Sequence, residues 1–481
     1  MKRIDLVFRT VGERTSELAL ELAKTNIRPD RVFIFENIRP FSETVQKQLK
    51  LNHNCDIVVY MDADCLILEN MRPFLESNES PYVDCFVQDR FRGAIHCGVH
   101  LTRIDLVDAM RRVSPPINDL AYVLRPESRL RNLAMQANGW KKSFKNFFIL
   151  HDHFQRACDI FAKYALRELR SRTKKQRLRL DTAMQKWGDD TDFVIARAAL
   201  AHANRSVPPE ASASEQHAYI RELPRVALEE TRKMPPASQK PLLRSEVEKR
   251  AHEVSKNRPS SQKPKVFGLG LSRTGTRSLT AALQILGWDC LHYPTDEQTF
   301  KDLSAGKGLF QFLNIWDGLT DITAAPYYAQ LDANYPGSKF ILTVRDTGSW
   351  LRSANNHWTG RDPFAPAETD AAQSHMKIRR LLRAATYGCY EFEPTRFRWV
   401  FEQHRLNVER YFQKRSEDLL VIDICNGEGF EKLAPFLGVP EPIQPFPHKG
   451  FRLSEQINQE RSHSASPIDH EDDASEFEVN D

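Results

Sequence analysis

The stretch Val266–Leu279, VFGLGLSRTGTRSL, decides how the second half of this chain is read. An apolar strand runs into a tight Gly/Ser/Thr turn, and an amphipathic helix follows at once. Glycines let backbone N–H groups approach an anion, and the helix N-terminus adds the positive end of its dipole. The pattern is that of a phosphate cradle. Gly270 and Gly275 have the G-x-x-x-x-G spacing of a nucleoside-triphosphate loop. Thr276 and Arg277 stand where the Lys-Ser/Thr pair for the γ-phosphate and Mg²⁺ belongs. Gly268 and Gly270 begin a dinucleotide G-x-G-x-x-G, but Arg273 takes the place of the third glycine. Both patterns fail at the deciding position.

Working outward, Lys339–Val344 (KFILTV) reads as a buried strand that ends in Arg345, and Ser353 follows eight residues later. A strand-end arginine with a helix hydroxyl makes a fork for one phosphate. Ser272-Arg273-Thr274-Gly275-Thr276 resembles the 5′-phosphosulfate loop of sulfotransferases, written K-[ST]-G-T, with Arg273 in the place of the lysine. Residues 265–450 resemble the bacterial and fungal sulfotransferase family throughout. NYPGSKFILTVRDTGSWLRS is similar to its central motif, and GEGFEKLAPFLGVPEPIQPFPH to its closing segment.

The resemblance implies a donor, 3′-phosphoadenosine 5′-phosphosulfate (PAPS). Ser272, Arg273, Thr274, Gly275, Thr276 and Arg277 would hold its phosphosulfate, and Arg345 with Ser353 its 3′-phosphate. Arg273 would also stabilise the leaving phosphate oxygen. A phosphosulfate carries less charge than a triphosphate and needs no Mg²⁺, so one cation, two hydroxyls and several N–H groups can hold it. Sulfuryl transfer also needs a base for the acceptor hydroxyl. His292 and Asp321 are the favoured candidates, with Asp296 and Glu297 at positions that some carbohydrate sulfotransferases use.

The first half opens as a βαβ unit. Ile4–Phe8, Arg31–Phe35 and Asp56–Met61 read as strands, with a helix at Ser16–Lys24, which implies a parallel sheet. Asp56–Leu68, DIVVYMDADCLIL, delivers Asp62 and Asp64 at the end of an apolar strand. Carboxylates at i and i+2 on extended backbone point to one side and can share a divalent cation. The pattern resembles the D-x-D signature of glycosyltransferases with the nucleotide-diphosphosugar (GT-A) fold. GAIHCGVHLTR is similar to that family's N-[SA]-G-V strand, with His96-Cys97 in place of the usual pair. HDHFQ lies where a histidine commonly completes the metal site, which makes His151 the candidate ligand, with His153 and Asp152 as alternatives. Thr10 and Arg14 follow the first strand, near the expected nucleotide. The resemblance implies Mn²⁺ or Mg²⁺ with a nucleotide sugar.

A length of 481 residues gives two domains as the natural division, and 41% hydrophobic residues supply their cores. A net charge of +4 is too small for this length to imply nucleic acid. The eight cysteines form no C-x-x-C pair and read as reduced thiols. No signal peptide and no membrane-length apolar run is present, so a cytoplasmic location is expected.

The expected organisation is α/β throughout. A GT-A (Rossmann-like) domain spans 1–205, and a Pro/Ser/Lys-rich linker with a short helix or two spans 206–264. A P-loop-type sulfotransferase domain with a parallel sheet spans 265–453, and an acidic, disordered tail spans 454–481. Phe154–Arg179 reads as one long basic helix and Asp192–Asn204 as a second. The expected function joins the two chemistries in making a sulfated glycan or glycoconjugate, with a carbohydrate acceptor and a nucleotide sugar as partners. The alternatives are a P-loop kinase or NTP-dependent protein and an inactive glycan-binding protein.

Overall fold

The structure is a computed structural model that describes residues 1–115, 118–234, 241–256, 263–367 and 369–449. The expected acidic tail lies outside the described residues. The chain forms two compact units, one through Lys256 and one from Asn257 to Pro442.

The first unit is built on seven strands: β1 (Ile4–Thr10), β2 (Arg31–Glu36), β3 (Ile57–Asp62), β4 (Cys65–Ile67), β5 (Tyr82–Asp89), β6 (Gly93–Arg103) and β7 (Lys142–His151). Their order is β2-β1-β3-β6-β5-β7-β4. β1 pairs in parallel with β2 and β3, as the βαβ opening requires. β6 then runs antiparallel to both β3 and β5. Ile4, Leu6, Val7 and Phe8 are all buried, because the centre of this sheet is covered on both faces. β3 and β4 are consecutive in sequence, yet β3 is central and β4 is an edge strand. The D-x-D turn is where the chain makes that crossing.

The segment 206–264 carries two helices, Ala213–Thr231 and Arg244–Ser255. Leu223 and Ala227 are buried in the same cluster as Phe161, Tyr164 and Ala199, and Val247 is 1% exposed. Apolar positions at helical spacing tie this charged stretch to the first unit. The long basic stretch is two helices, Ala157–Leu169 and Lys174–Met184. Thr173 accepts a hydrogen bond from the Gln176 N–H and caps the second, which breaks the run there.

The second unit has five strands: β8 (Val266–Gly268), β9 (Cys290–His292), β10 (Gly318–Thr320), β11 (Lys339–Thr343) and β12 (Leu419–Ile422). The order is β12-β11-β8-β10-β9, and every pairing is parallel. β8 is central, and successive connections leave it to opposite sides. Its C-terminal end is therefore the switch point where parallel α/β sheets bind ligands. Phe340, Ile341 and Leu342 are all buried, so β11 reads as a continuous apolar run rather than an alternating one.

Candidate functional site

The loop after β8 is fixed by contacts that leave no room for side chains. A Cβ at Gly270 would sit 1.7 Å from Thr343 Oγ1, and one at Gly268 would sit 2.9 Å from both Leu279 and Thr320. Gly275 has φ +92° and caps the helix Thr276–Ile285. Arg273 also has a positive φ, 76°, an uncommon conformation for a side-chain-bearing residue.

Four side chains beyond the loop pin it from behind. Thr343 and Thr274 share a hydrogen bond of 2.6 Å between hydroxyls. Trp350 Nε1 donates to the Ser272 carbonyl at 2.9 Å, and its ring stacks on Phe401 at 4.3 Å. His404 Nε2 lies 2.7 Å from the Leu269 carbonyl oxygen. Burial and then Asp321 push the Tyr387 phenol up, while a hydrogen bond with Ser272 opposes them. None of Trp350, His404, Thr343 or Tyr387 stands out in the sequence, because each is an ordinary core residue except for the one atom it turns to the loop. Thr274 is fully buried and serves this framework.

Asp321 is the hub beneath the loop. It is 4% exposed and has φ 75°. Ser272 Oγ donates to one carboxylate oxygen at 2.5 Å, and Thr276 Oγ1 to the other at 2.5 Å. His292 Nε2 is 3.2 Å from the same carboxylate. Burial opposes ionisation, but His292, Ser272 and Thr276 outweigh it and hold the carboxyl far below the usual range. A carboxylate so fully engaged is a weak base. It is suited to orienting His292, which sits at the end of β9 and is less buried.

The expected phosphate fork is rearranged. Arg345 Nε donates to Ser349 Oγ at 2.9 Å and Nη1 to the Arg273 carbonyl at 3.2 Å. Ser353 Oγ instead accepts from Arg273 Nε at 3.0 Å. Both serines lie on the helix Thr347–Trp358, four residues apart and so on one face. Ser349, which the sequence reading does not single out, is the hydroxyl that meets Arg345. Arg277 is half-buried on the first turn of the loop's helix. The closing segment returns to that helix, where the Lys449 N–H donates to Ser278 Oγ at 2.8 Å. Asp296 caps the helix Glu297–Ser304, and Glu297 is held by Ser374 at 2.9 Å and Lys377 at 3.2 Å.

In the first unit the two D-x-D carboxylates part. Asp62 is salt-bridged to Arg9 at 2.8 Å. Asp64 faces Lys163, which also touches Asp152, and lies 3.5 Å from His151 Nε2. The reason is the turn between β3 and β4, which breaks the extended backbone that would place both on one side. Two groups of potential metal ligands meet at His151. One is Asp64, Cys65 and His151, and the other is Asp89, Cys97 and His151; Asp62 is in neither. Cys97 Sγ lies 3.6 Å from His151 Nδ1, whereas His96 turns to Asp84 at 2.9 Å. Gly98 makes this convergence possible, since a Cβ there would meet Cys65 Sγ at 2.4 Å.

This set of carboxylate, imidazole and thiol donors fits a divalent cation. Burial works against the imidazolium of His151, but Asp152, Cys97 and Asp64 outweigh it and raise its pKa well above the usual value. Burial opposes ionisation of Asp64, but Lys163 and His151 hold it at about 2. Lys163 and His151 are the cations that balance these carboxylates. His153 lies apart, with Arg250 Nε donating to its Nδ1 at 3.3 Å. Burial and then Arg250 hold it neutral, with a pKa of about 3. Thr10 donates to Glu13 at 2.6 Å and Arg14 pairs with Glu246 at 3.5 Å.

The second unit is an α/β domain whose glycine loop lies at the switch point of a parallel sheet. Residues 265–452 match the family model of the sulfotransferase domain. The "Ava biosynthesis cluster protein M" of Aspergillus versicolor is 27% identical over 211 residues, 38% of this chain and 80% of that protein. Among solved structures, a glycosyltransferase involved in glycosylation of the major capsid of PBCV-1 is 13% identical, with a TM-score of 0.22. That alignment covers 32% of this chain and 96% of the other. CMP:2-keto-3-deoxy-manno-octonic acid synthetase, complexed with CTP, is 9% identical with a TM-score of 0.20, over 30% of this chain and 90% of the other. A sulfotransferase domain implies a sulfuryl donor. All eight cysteines are free thiols. Among the described residues no helix is long and apolar enough to cross a membrane.

Proposed function

We propose that the chain is a two-domain transferase that makes a sulfated glycan or glycoconjugate. The second unit moves a sulfuryl group from PAPS to an acceptor hydroxyl. In the first, Asp64 and His151, with Asp62 nearby, would hold a divalent cation, which would neutralise the diphosphate of a nucleotide sugar. The observation that carries the reading is the loop after β8, where Arg273 and Arg345 meet at the open end of a parallel sheet, linked through the Arg273 carbonyl.

The acceptor oxygen attacks sulfur, and the bond from sulfur to the bridging phosphate oxygen breaks. Arg273 and the N-terminus of the helix Thr276–Ile285 stabilise the charge that develops on that oxygen. His292 takes the hydroxyl proton at Nδ1 while Asp321 steadies Nε2. Asp321 is therefore a positioning residue, not the base. A kinase-like reading is not favoured, because Thr276 and Arg277 replace the lysine and the Mg²⁺-binding hydroxyl of a nucleoside-triphosphate loop, and Thr276 Oγ1 donates to Asp321.

The test is incubation of the full chain with PAPS and a panel of glycans. Adenosine 3′,5′-bisphosphate should appear in equal amount with a sulfated product. His292→Ala should lose the product and keep bisphosphate binding. Product formation unchanged in His292→Ala would remove the base assignment, and no product from any glycan would count against a carbohydrate acceptor.

A further inference from the structure

Two cysteines stand at the D-x-D turn without a part in holding a cation by Asp64 and His151 alone. Cys65 directly follows the motif, and Cys97 belongs to the His96-Cys97 pair that departs from the expected N-[SA]. Three strands bring both thiols to His151. Cys65 opens β4 and lies opposite His151, the last residue of β7. Cys97 lies on β6, where the register against β5 shifts between Asp84 and Phe86. A bulge of this kind re-aims a side chain. Cys97 Sγ comes within 3.7 Å of His151 Nε2, while His96 keeps to Asp84 at 2.9 Å. Gly98, with φ 72°, leaves the room, since a Cβ there would collide with Cys65 Sγ and lie 3.5 Å from His151 Nε2.

The donor atoms are evenly spaced. Cys65 Sγ is 3.5 Å from Asp64 Oδ1, and Asp64 Oδ1 is 3.5 Å from His151 Nε2. Cys97 Sγ follows at 3.7 Å from the same nitrogen. The step from Asp64 to His151 is longer than an ordinary N–H···O bond. Ligand atoms around one tetrahedral zinc ion, with bonds of about 2.0–2.3 Å, are about 3.3–3.8 Å apart. Asp64, Cys65 and His151 are buried, and Cys97 is half-buried.

The surrounding charges suit a cation at this point. Lys163 meets the other Asp64 oxygen, Oδ2, together with Asp152 Oδ1, so Asp64 Oδ1 is left to the thiols. Asp152 Oδ2 is buried, has no hydrogen-bond partner among the described residues, and lies 3.6 Å from His151 Nδ1. A buried carboxylate oxygen left unpaired is costly, and positive charge beside it lowers that cost. Asp89 holds His151 Nδ1 at 2.7 Å and is itself tied by Arg92 at 3.0 Å. A carboxylate on one ring nitrogen turns the other toward a metal.

We propose that Cys65 and Cys97 join Asp64 and His151 in a thiolate site that takes zinc(II) in preference to Mn²⁺ or Mg²⁺. Mixed thiolate, imidazole and carboxylate donors suit zinc, whereas Mn²⁺ and Mg²⁺ favour oxygen. Zinc binds both sulfurs as thiolates and His151 as neutral imidazole, and the displaced protons leave to solvent. The proposal names the ion of the cation site read in the first unit, and rests on that reading for its place.

The test is titration of the full-length, chelator-treated protein with Co²⁺, a spectroscopic stand-in for zinc. A sulfur-to-cobalt charge-transfer band should appear, and equimolar Zn²⁺ should remove it where Mg²⁺ does not. Cys65→Ser and Cys97→Ser should each weaken the band and loosen Co²⁺ about tenfold or more. Cys55→Ser should leave the band unchanged, which separates the other thiol-containing group, Asp5, His53 and Cys55. A second measurement needs no variant. In the natural protein, equimolar Zn²⁺ should slow alkylation of Cys97 by iodoacetamide about tenfold, read by mass spectrometry. Mn²⁺ binding with no charge-transfer band and no protection of Cys97 would overturn thiolate ligation and leave the cation reading standing. A band that survives in both Cys65→Ser and Cys97→Ser would also overturn it. No divalent ion bound at all would overturn both.

Discussion

At the scale of single residues, the loop after β8 depends on absent atoms as much as on present ones. Gly270 approaches Thr343 so closely that alanine forces the loop away from β11. Gly270→Ala should cost about 1–3 kcal/mol, measured by urea unfolding, and should abolish binding of adenosine 3′,5′-bisphosphate. Asp321→Asn keeps an acceptor for Ser272 or Thr276 but removes the charge that steadies His292. Turnover should fall roughly 10²–10⁴-fold while bisphosphate binding persists. Normal turnover in that variant would mean that His292 needs no anionic partner. Arg273, Thr276 and Gly275 are legible in the sequence because their types are rare in this order after a strand. The turn of Ser353 toward Arg273, and of Ser349 toward Arg345, is not legible. Both serines sit on one helix face, and only the side-chain rotamers decide which arginine each one meets.

At the scale of elements, β1 and the helix Pro126–Ala137 are joined by charge. Arg9 Nη1 meets Glu127 at 2.8 Å, and both side chains are buried. Burial opposes ionisation of Glu127, but Arg9, His100 and Arg131 outweigh it and lower its pKa from 4.5 to about 2. A depressed folded-state value means that the carboxylate stabilises above the unfolded pKa. That stability is lost as pH falls from about 4.5 towards about 2. The loss is on the order of 3 kcal/mol, by the usual conversion of a pKa difference. Acid titration of the first unit's unfolding should show this slope, and Glu127→Gln should flatten it. An unchanged slope would assign the acid sensitivity elsewhere.

Element boundaries near the motifs match the sequence reading closely. The strand expected at Lys339–Val344 is Lys339–Thr343, and the helix expected at Arg277–Leu286 is Thr276–Ile285. Apolar periodicity is strongest where both faces are buried. The misread elements have weak signals for physical reasons. Thr173 breaks a run whose basic residues are all good helix formers. The helices within 206–264 each bury only a narrow apolar stripe under a highly charged face. At the D-x-D, extended geometry gives way to a turn after Asp62, and no pattern of residue types reports that.

At the scale of the whole molecule, each sheet presents its own cation-ready or anion-ready ends. Substitutions in separate units with no shared partners should act independently. Asp64→Ala should remove any Mn²⁺-dependent stabilisation by UDP or GDP and leave the bisphosphate effect unchanged. Arg345→Ala should do the reverse. A ligand at about 100 times its Kd adds roughly 2.7 kcal/mol, enough to move a thermal transition visibly. Loss of both effects in either variant would mean that the two sites are coupled.

The most direct measurement is calorimetric titration of the full chain with adenosine 3′,5′-bisphosphate, and separately with Mg²⁺-ATP, for the natural protein and for Arg345→Ala. The account predicts saturable heat with the bisphosphate, its loss in Arg345→Ala, and none with Mg²⁺-ATP. Saturable heat with Mg²⁺-ATP and none with the bisphosphate would contradict it.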